Sequence, residues 1–271
     1  MAWLVKLRNL CRLPLAFENW GSVASCIAID RLTRLVGSRR HRLYVVELRN
    51  TSLRLLVRGG AGSHDIGDVF EVWDRRVYTP DWLWTRLRSH LDPSRQDITI
   101  VDVGASIGDF SLFATEHLPR SSAYAYEASP ETFGLLQANI AINQASERVR
   151  PVRKAIGAAD GKANSDARQA PMISLGEVID ELGRIHLLKM DIEGMEFAAF
   201  REVTDDQLGR VDCLTMELHT SKGSAEYSQF CERLVRAGFH VRSFFPDPGA
   251  GCGYLYALRR NITEELMAEM Q

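Results

Sequence analysis

Val101-Asp102-Val103-Gly104-Ala105-Ser106-Ile107-Gly108-Asp109 carries an apolar run into a glycine-spaced turn and out again at an acidic residue. The run starts at Ile98, and its β-branched residues over 98–103 are those of a strand buried on both faces. From Asp109 the pattern changes to that of a helix over 109–117. A strand that feeds a helix through such a turn is where a doubly wound sheet presents backbone N–H groups to a ligand. Gly104 removes the Cβ that would block the ligand, and Gly108 lets the helix start close to the strand. Ser106 stands where a dinucleotide fingerprint has its second glycine. A pyrophosphate needs that close approach, so the turn argues against NAD and an oxidoreductase built on it. Taken alone, the spacing also fits an ordinary strand-to-helix turn.

Outward from this turn, short apolar runs alternate with amphipathic segments, the signature of βαβ units. Strands are predicted at 98–103, 123–127, 149–154, 185–190, 213–218, 240–244 and 254–258, and helices at 109–117, 130–142, 174–182, 195–203 and 225–237. The last two strands leave no room for a helix between them, so the final one returns antiparallel. The expected fold is α/β and Rossmann-like: seven strands, mostly parallel with the last antiparallel, and helices on both faces. This domain is expected over 96–271. Residues 1–95 read as an accessory region, with helices at 22–36, 63–78 and 81–91 and a hairpin of strands at 43–48 and 53–57.

Apolar residues make up 45% of the 271 and charged ones 25%, which excludes wholesale disorder. The net charge of −2 hides an asymmetry. Residues 1–60 hold 11 Lys/Arg against 3 Asp/Glu, a head of +8, and the remainder holds 22 against 32, a body of −10. Such a head suits peripheral contact with an anionic membrane surface or an acidic partner, and equally a solvated face. No nucleic-acid partner is expected, and a homo-oligomer stays open. Lys6, Arg8 and Arg12 interrupt the apolar start, unlike a signal peptide. Cys11, Cys26, Cys213, Cys231 and Cys252 form no CxxC pair or Cys/His cluster. Reduced thiols in a cytoplasmic protein are the expectation, with no metal site assigned.

Chemistry-bearing residues gather where the predicted strands end. Glu127 closes the second strand, where a carboxylate accepts hydrogen bonds from ribose hydroxyls, and Ala128 follows it. The alternative is an acid favoured by the helix after Pro130, although Ser129 already supplies a cap there. Lys154-Ala155-Ile156-Gly157 is placed to cover a flat base with small apolar groups. In Leu188-Lys189-Met190-Asp191-Ile192-Glu193, alternation puts Lys189, Asp191 and Glu193 on one face, as reacting groups or as a structural ion cluster. Glu217-Leu218-His219 brings an imidazole to the same edge. His219 is the first base candidate and Asp191 the second, with Lys189 placed to stabilise negative charge.

At these residues the chain resembles the FkbM family of methyltransferases. The resemblance rests on Val101-Asp-Val-Gly-Ala-Ser-Ile-Gly-Asp-Phe-Ser, Tyr126-Glu-Ala-Ser-Pro-Glu-Thr-Phe, Leu188-Lys-Met-Asp-Ile-Glu-Gly-Met-Glu and Glu217-Leu-His, in order over about residues 97–220. Ser63-His-Asp-Ile-Gly-Asp-Val-Phe also looks like the stretch that often precedes this domain. The resemblance implies a class I methyltransferase with S-adenosylmethionine as methyl donor. It also implies direct O-methylation of a small or carrier-bound hydroxyl substrate such as a sugar, polyketide or other specialised metabolite. Gly104, Ala105, Ser106, Gly108, Glu127, Ala128, Ala155, Ile156 and Asp191 would then line the cofactor, and Asp102 would take the ammonium of its amino-acid end. A divalent metal on Asp191 with Glu193 or Glu217 is the less favoured variant. A binding protein that keeps the cofactor fold without catalysis is the rival outside enzymes.

Overall fold

The computed structural model describes residues 12–35, 42–59, 63–91, 97–157, 170–247 and 251–262. The boundary expected near residue 95 falls outside these, as do Lys6, Arg8, Arg39 and Arg40 of the basic head. Among the described residues, no helix is long and apolar enough to cross a membrane.

The accessory region comprises α1 (Trp20–Leu35), the antiparallel pair β1 (Arg42–Glu47) and β2 (Arg54–Gly59), α2 (Asp65–Trp73) and α3 (Asp81–His90). The remainder runs β3 (Ile98–Val103), α4 (Asp109–His117), β4 (Ser121–Tyr126), α5 (Pro130–Ile142), β5 (Val149–Val152), β6 (Ala155–Ile156), β7 (Met172–Ile173), α6 (Leu175–Leu182), β8 (Leu187–Met190), α7 (Glu196–Phe200), α8 (Asp205–Gly209), β9 (Cys213–Leu218), α9 (Ala225–Arg236), β10 (Phe239–Asp247) and β11 (Cys252–Arg259).

Seven of these strands form one sheet in the order β10-β11-β9-β8-β3-β4-β5. The pairs among β3, β4, β5, β8 and β9 are parallel, and β11 runs antiparallel between β9 and β10. This is the expected Rossmann-like sheet. The last strand of the chain is the antiparallel one, lying inside the edge formed by β10. β3 and β8, at its centre, are covered on both faces, which is why they read as continuous apolar runs.

Two expected helices are shorter than their patterns. The one expected over 63–78 stops at Trp73, because the chain turns through Arg76 at φ 54°. That turn carries Tyr78 off the helix and against Phe110. The helix expected over 195–203 is only Glu196–Phe200. The β6–β7 pair and α8 are additions, each too short to leave a periodic signal.

The accessory region shares a core with the sheet. Phe17, Leu55, Val57, Val69 and Phe70 bury in one cluster with Phe110, Phe113 and Leu136. Trp73 and Trp84 both pack on Phe113, with ring centroids 5.1 and 5.6 Å away. Two asparagines one turn apart on α5 hold β2 by its backbone. Asn139 accepts from Leu56 N (2.6 Å) and donates to Leu56 O (3.1 Å), and Asn143 does the same for Arg54 at 2.9 and 2.6 Å. Their amides stand in for a neighbouring strand. The hairpin is thereby fixed to the helix that follows the Glu127 turn. Two head arginines pair with acids whose side chains are buried, Arg12 with Asp74 and Arg58 with Asp65, and Arg49 pairs with Glu18 at the surface.

Candidate active site

Carboxyl ends of β3, β4, β8 and β9 open into a cavity of about 730 Å³, and α2 with the turn carrying Tyr78 forms the facing wall. Gly104, Ser106, Glu127, Ala128, Ala155, Ile156, Lys189, Asp191 and His219, all singled out from the sequence, line it. Ala105 and Gly108 are buried beneath. The glycines serve chain packing first. A Cβ on Gly104, at φ 73°, would overlap the carbonyl oxygen of Asp191, and one on Gly108, at φ 87°, would meet Leu136 at 2.6 Å. The expectation that Gly104 clears space for a ligand is therefore corrected: what it admits is the turn after β8.

Asp102 also departs from expectation. It is 0% exposed and does not line the cavity. Ser111 donates to it at 2.7 Å, and the Lys189 ammonium lies 3.2 Å away while donating to Gly104 O at 2.7 Å. Burial would lower the Lys189 pKa, but Asp102, Asp191 and Asp109 outweigh it and hold the ammonium charged. Lys189, at the cavity floor, thus forms a closed ion pair with Asp102 beneath it.

Glu127 spans two elements, accepting from Ser106 N at 3.0 Å and Ser129 N at 2.8 Å, so the glycine turn and the start of α5 are tied through it. Burial raises its pKa against the pull of those amides. Ser129 caps α5 by accepting from Thr132 N, which leaves Glu127 outside the capping role.

His219 is oriented from behind. Its Nδ1 lies 2.9 Å from Glu196, a carboxylate 1% exposed, and its Nε2 lies 3.3 Å from the exposed Glu193. The Glu196 hydrogen bond, with Asp191 and Glu193 nearby, pushes its pKa up to about 9, so the resting ring is an imidazolium. Asp191, Glu196 and His219 bring ligand atoms within 4.8 Å of one another, a spacing a metal ion can bridge. Glu196 Oε1 receives Ile192 N, Gly194 N and the His219 ring.

Three acids and a tyrosine on the wall were not assigned from sequence, and Glu217 was considered there only as a metal ligand. The Tyr78 hydroxyl lies 2.9 Å from Asp191 and 3.1 Å from Glu217, with one hydrogen to serve two carboxylates. The Cys252 thiol donates to the other Glu217 oxygen at 2.9 Å. Burial, reinforced by neighbouring carboxylates, raises Asp68 to about 8 and Glu71 to about 7. Asp109 is raised to about 7, by burial above all. A signal for Asp68 and Glu71 did exist: they stand three residues apart at helical spacing, on one face of the segment from Ser63.

These features fit S-adenosylmethionine, a nucleoside carrying two positive centres. A carboxylate ends β4 for the ribose, Ala128, Ala155 and Ile156 offer a small apolar surface, and the wall is acidic. Residues 102–256, more than half of the chain, match the family model described as the methyltransferase FkbM domain. The chain is 26% identical to "Methyltransferase 1" of Beauveria bassiana (strain ARSEF 2860), over 57% of this chain and 77% of that one. Its backbone is similar to the METTL16 methyltransferase domain, with TM-score 0.45 and 14% identity over 66% of this chain. The chain spans 64% of that domain's length, just under two thirds. It is also similar to TrmK of M. capricolum in complex with S-adenosyl-homocysteine, with TM-score 0.42 and 10% identity over 67% of this chain and 69% of that one. Taken with a seven-stranded sheet whose glycine turn and Glu127 share one cavity, the match over 102–256 makes this chain a member of the FkbM family, methyltransferases that use S-adenosylmethionine.

Proposed function

We propose that the protein is an O-methyltransferase acting on a hydroxyl of a sugar, polyketide or other specialised metabolite, free or carrier-bound. The cofactor supplies an electrophilic methyl group when bound. Glu127 holds the ribose, with Ala128, Ala155 and Ile156 against the base. His219 takes the proton of the attacking hydroxyl on Nε2, while Glu196 holds Nδ1 and so fixes which nitrogen faces the cavity. Asp191 and Tyr78 hold the acceptor beside it. Positive charge brought in by the cofactor lowers the His219 pKa toward the value a base requires.

The observation that carries this reading is the Glu196–His219 contact, a buried carboxylate orienting an imidazole that lines the cavity. Incubation with methyl-labelled cofactor and a panel of hydroxylated acceptors tests it. Label in an alkali-stable ether supports the reading, whereas label recovered only as N-methyl or as an ester removes it. Full cofactor binding with no turnover on any acceptor would favour the non-catalytic rival.

A further inference from the structure

We propose that Asp109 and Asp68 together seat the ammonium at the amino-acid end of the cofactor, so that α2 of the accessory region is part of the cofactor site. The inference rests on the reading of the cavity as an S-adenosylmethionine site. It replaces Asp102, the acid that the strand end offered for this contact. Asp102 is fully buried, accepts from Ser111, lies 3.2 Å from the Lys189 ammonium and does not reach the cavity.

Asp109, seven positions on, is its opposite. It is 4% exposed and lines the cavity, and its Oδ2 has no hydrogen-bond partner. A buried carboxylate oxygen left open is costly, and a ligand reaching it from the cavity would complete it. The nearest cation, Lys189, offsets part of its charge, but the Lys189 ammonium is directed at Gly104 O and Asp102. Across the cavity, Asp68 projects from α2 and also lines the space. Each acid raises the cost of ionising its neighbour, and Asp109 is the largest charged contributor to the raised pKa of Asp68. Two carboxyls that repel one another, one with an open oxygen, match a primary ammonium, which carries three donors and a full positive charge. A neutral hydroxyl would leave the repulsion in place.

Calorimetric titration of the full chain compares three ligands: S-adenosylhomocysteine, its analogue lacking the α-amino group, and 5′-methylthioadenosine, which lacks the whole amino-acid end. Asp109→Asn keeps the side-chain volume and removes the charge. It is expected to weaken S-adenosylhomocysteine by about tenfold or more, the scale of a lost charged hydrogen bond, and to leave methylthioadenosine within about twofold. Asp68→Asn, on a partly buried position, should act in the same direction by a smaller factor. The unaltered protein should bind the desamino analogue about as weakly as Asp109→Asn binds the amine, a comparison that holds even if that variant folds poorly. Equal losses for all three ligands, or no loss for the amine, overturn the proposal while leaving the cofactor site standing. Failure of the unaltered protein to bind any of the three overturns both.

Discussion

Asp102 and Asp109 flank one glycine turn, both are buried, and they have opposite fates. Asp102 has a hydroxyl and an ammonium against it, so its charge is matched inside the protein. Asp109 faces the cavity with an oxygen open and its pKa raised to about 7. The first belongs to the fold and the second to a ligand. Burial does not separate them, since both are over nine-tenths buried; a cation 3.2 Å from Asp102 and the cavity in front of Asp109 do. The same contrast sets Lys189, which donates to Gly104 O beside Asp102, against the wall, where Asp191 and Glu217 share the single hydrogen of Tyr78 and Glu217 also takes that of Cys252.

Breaking the closed pair has the largest expected consequence. Lys189→Met leaves Asp102 buried without its cation and should cost about 3 to 5 kcal/mol in urea unfolding. Adding Asp102→Asn to it should restore much of that loss, and no recovery in the double variant would show that the pair is not a closed unit. His219→Ala should lower kcat by about 10²- to 10⁴-fold with S-adenosylhomocysteine affinity unchanged. Normal turnover at saturating acceptor would end its role as base.

The pH profile sharpens this. A base must be unprotonated, so kcat/KM of the free enzyme should rise with pH toward about 9 and then level, and His219→Ala should abolish that rise. The linkage to stability runs the other way. Because the folded pKa is raised above the unfolded 6.5, the stabilisation from the imidazolium is complete below that value and disappears as pH climbs through about 9. Glu127→Ala should then weaken S-adenosylhomocysteine by about 1 to 3 kcal/mol, and an unchanged dissociation constant would remove it from the site.

The smallest effect has the opposite sign. The raised pKa of Asp109 means that the empty protein loses stability as pH rises from about 4 through about 7. Asp109→Asn should therefore stabilise the ligand-free chain at pH 8, by about 1 kcal/mol in thermal unfolding, while it weakens the cofactor. A loss of stability there would place Asp109 with Asp102, in the fold.

Much of this was legible in the chain itself. α4, α5 and the strands β3 and β9 begin and end where their patterns do, because a strand's apolar run and a helix's cap are local signals. Glu127, Asp191 and His219 were legible too, since strand ends in such a sheet converge on one edge. Tyr78 was not, because it sits inside a helical pattern that Arg76 interrupts with a left-handed residue. Asp68 and Glu71 stand on one face of an accessory helix, and only its packing on α4 turns that face toward the cavity.

Sequence alone determined the order of the strands and helices, the glycine turn and the presence of acids at the sheet edge, all matters of period and neighbouring residues. Tertiary structure decided which acid is spent and which is free. A hydrogen-bond partner such as Lys189, far along the chain from Asp102, is chosen by which strands lie side by side. No local pattern encodes that choice, and on it depends whether a buried charge holds the protein together or waits for a ligand.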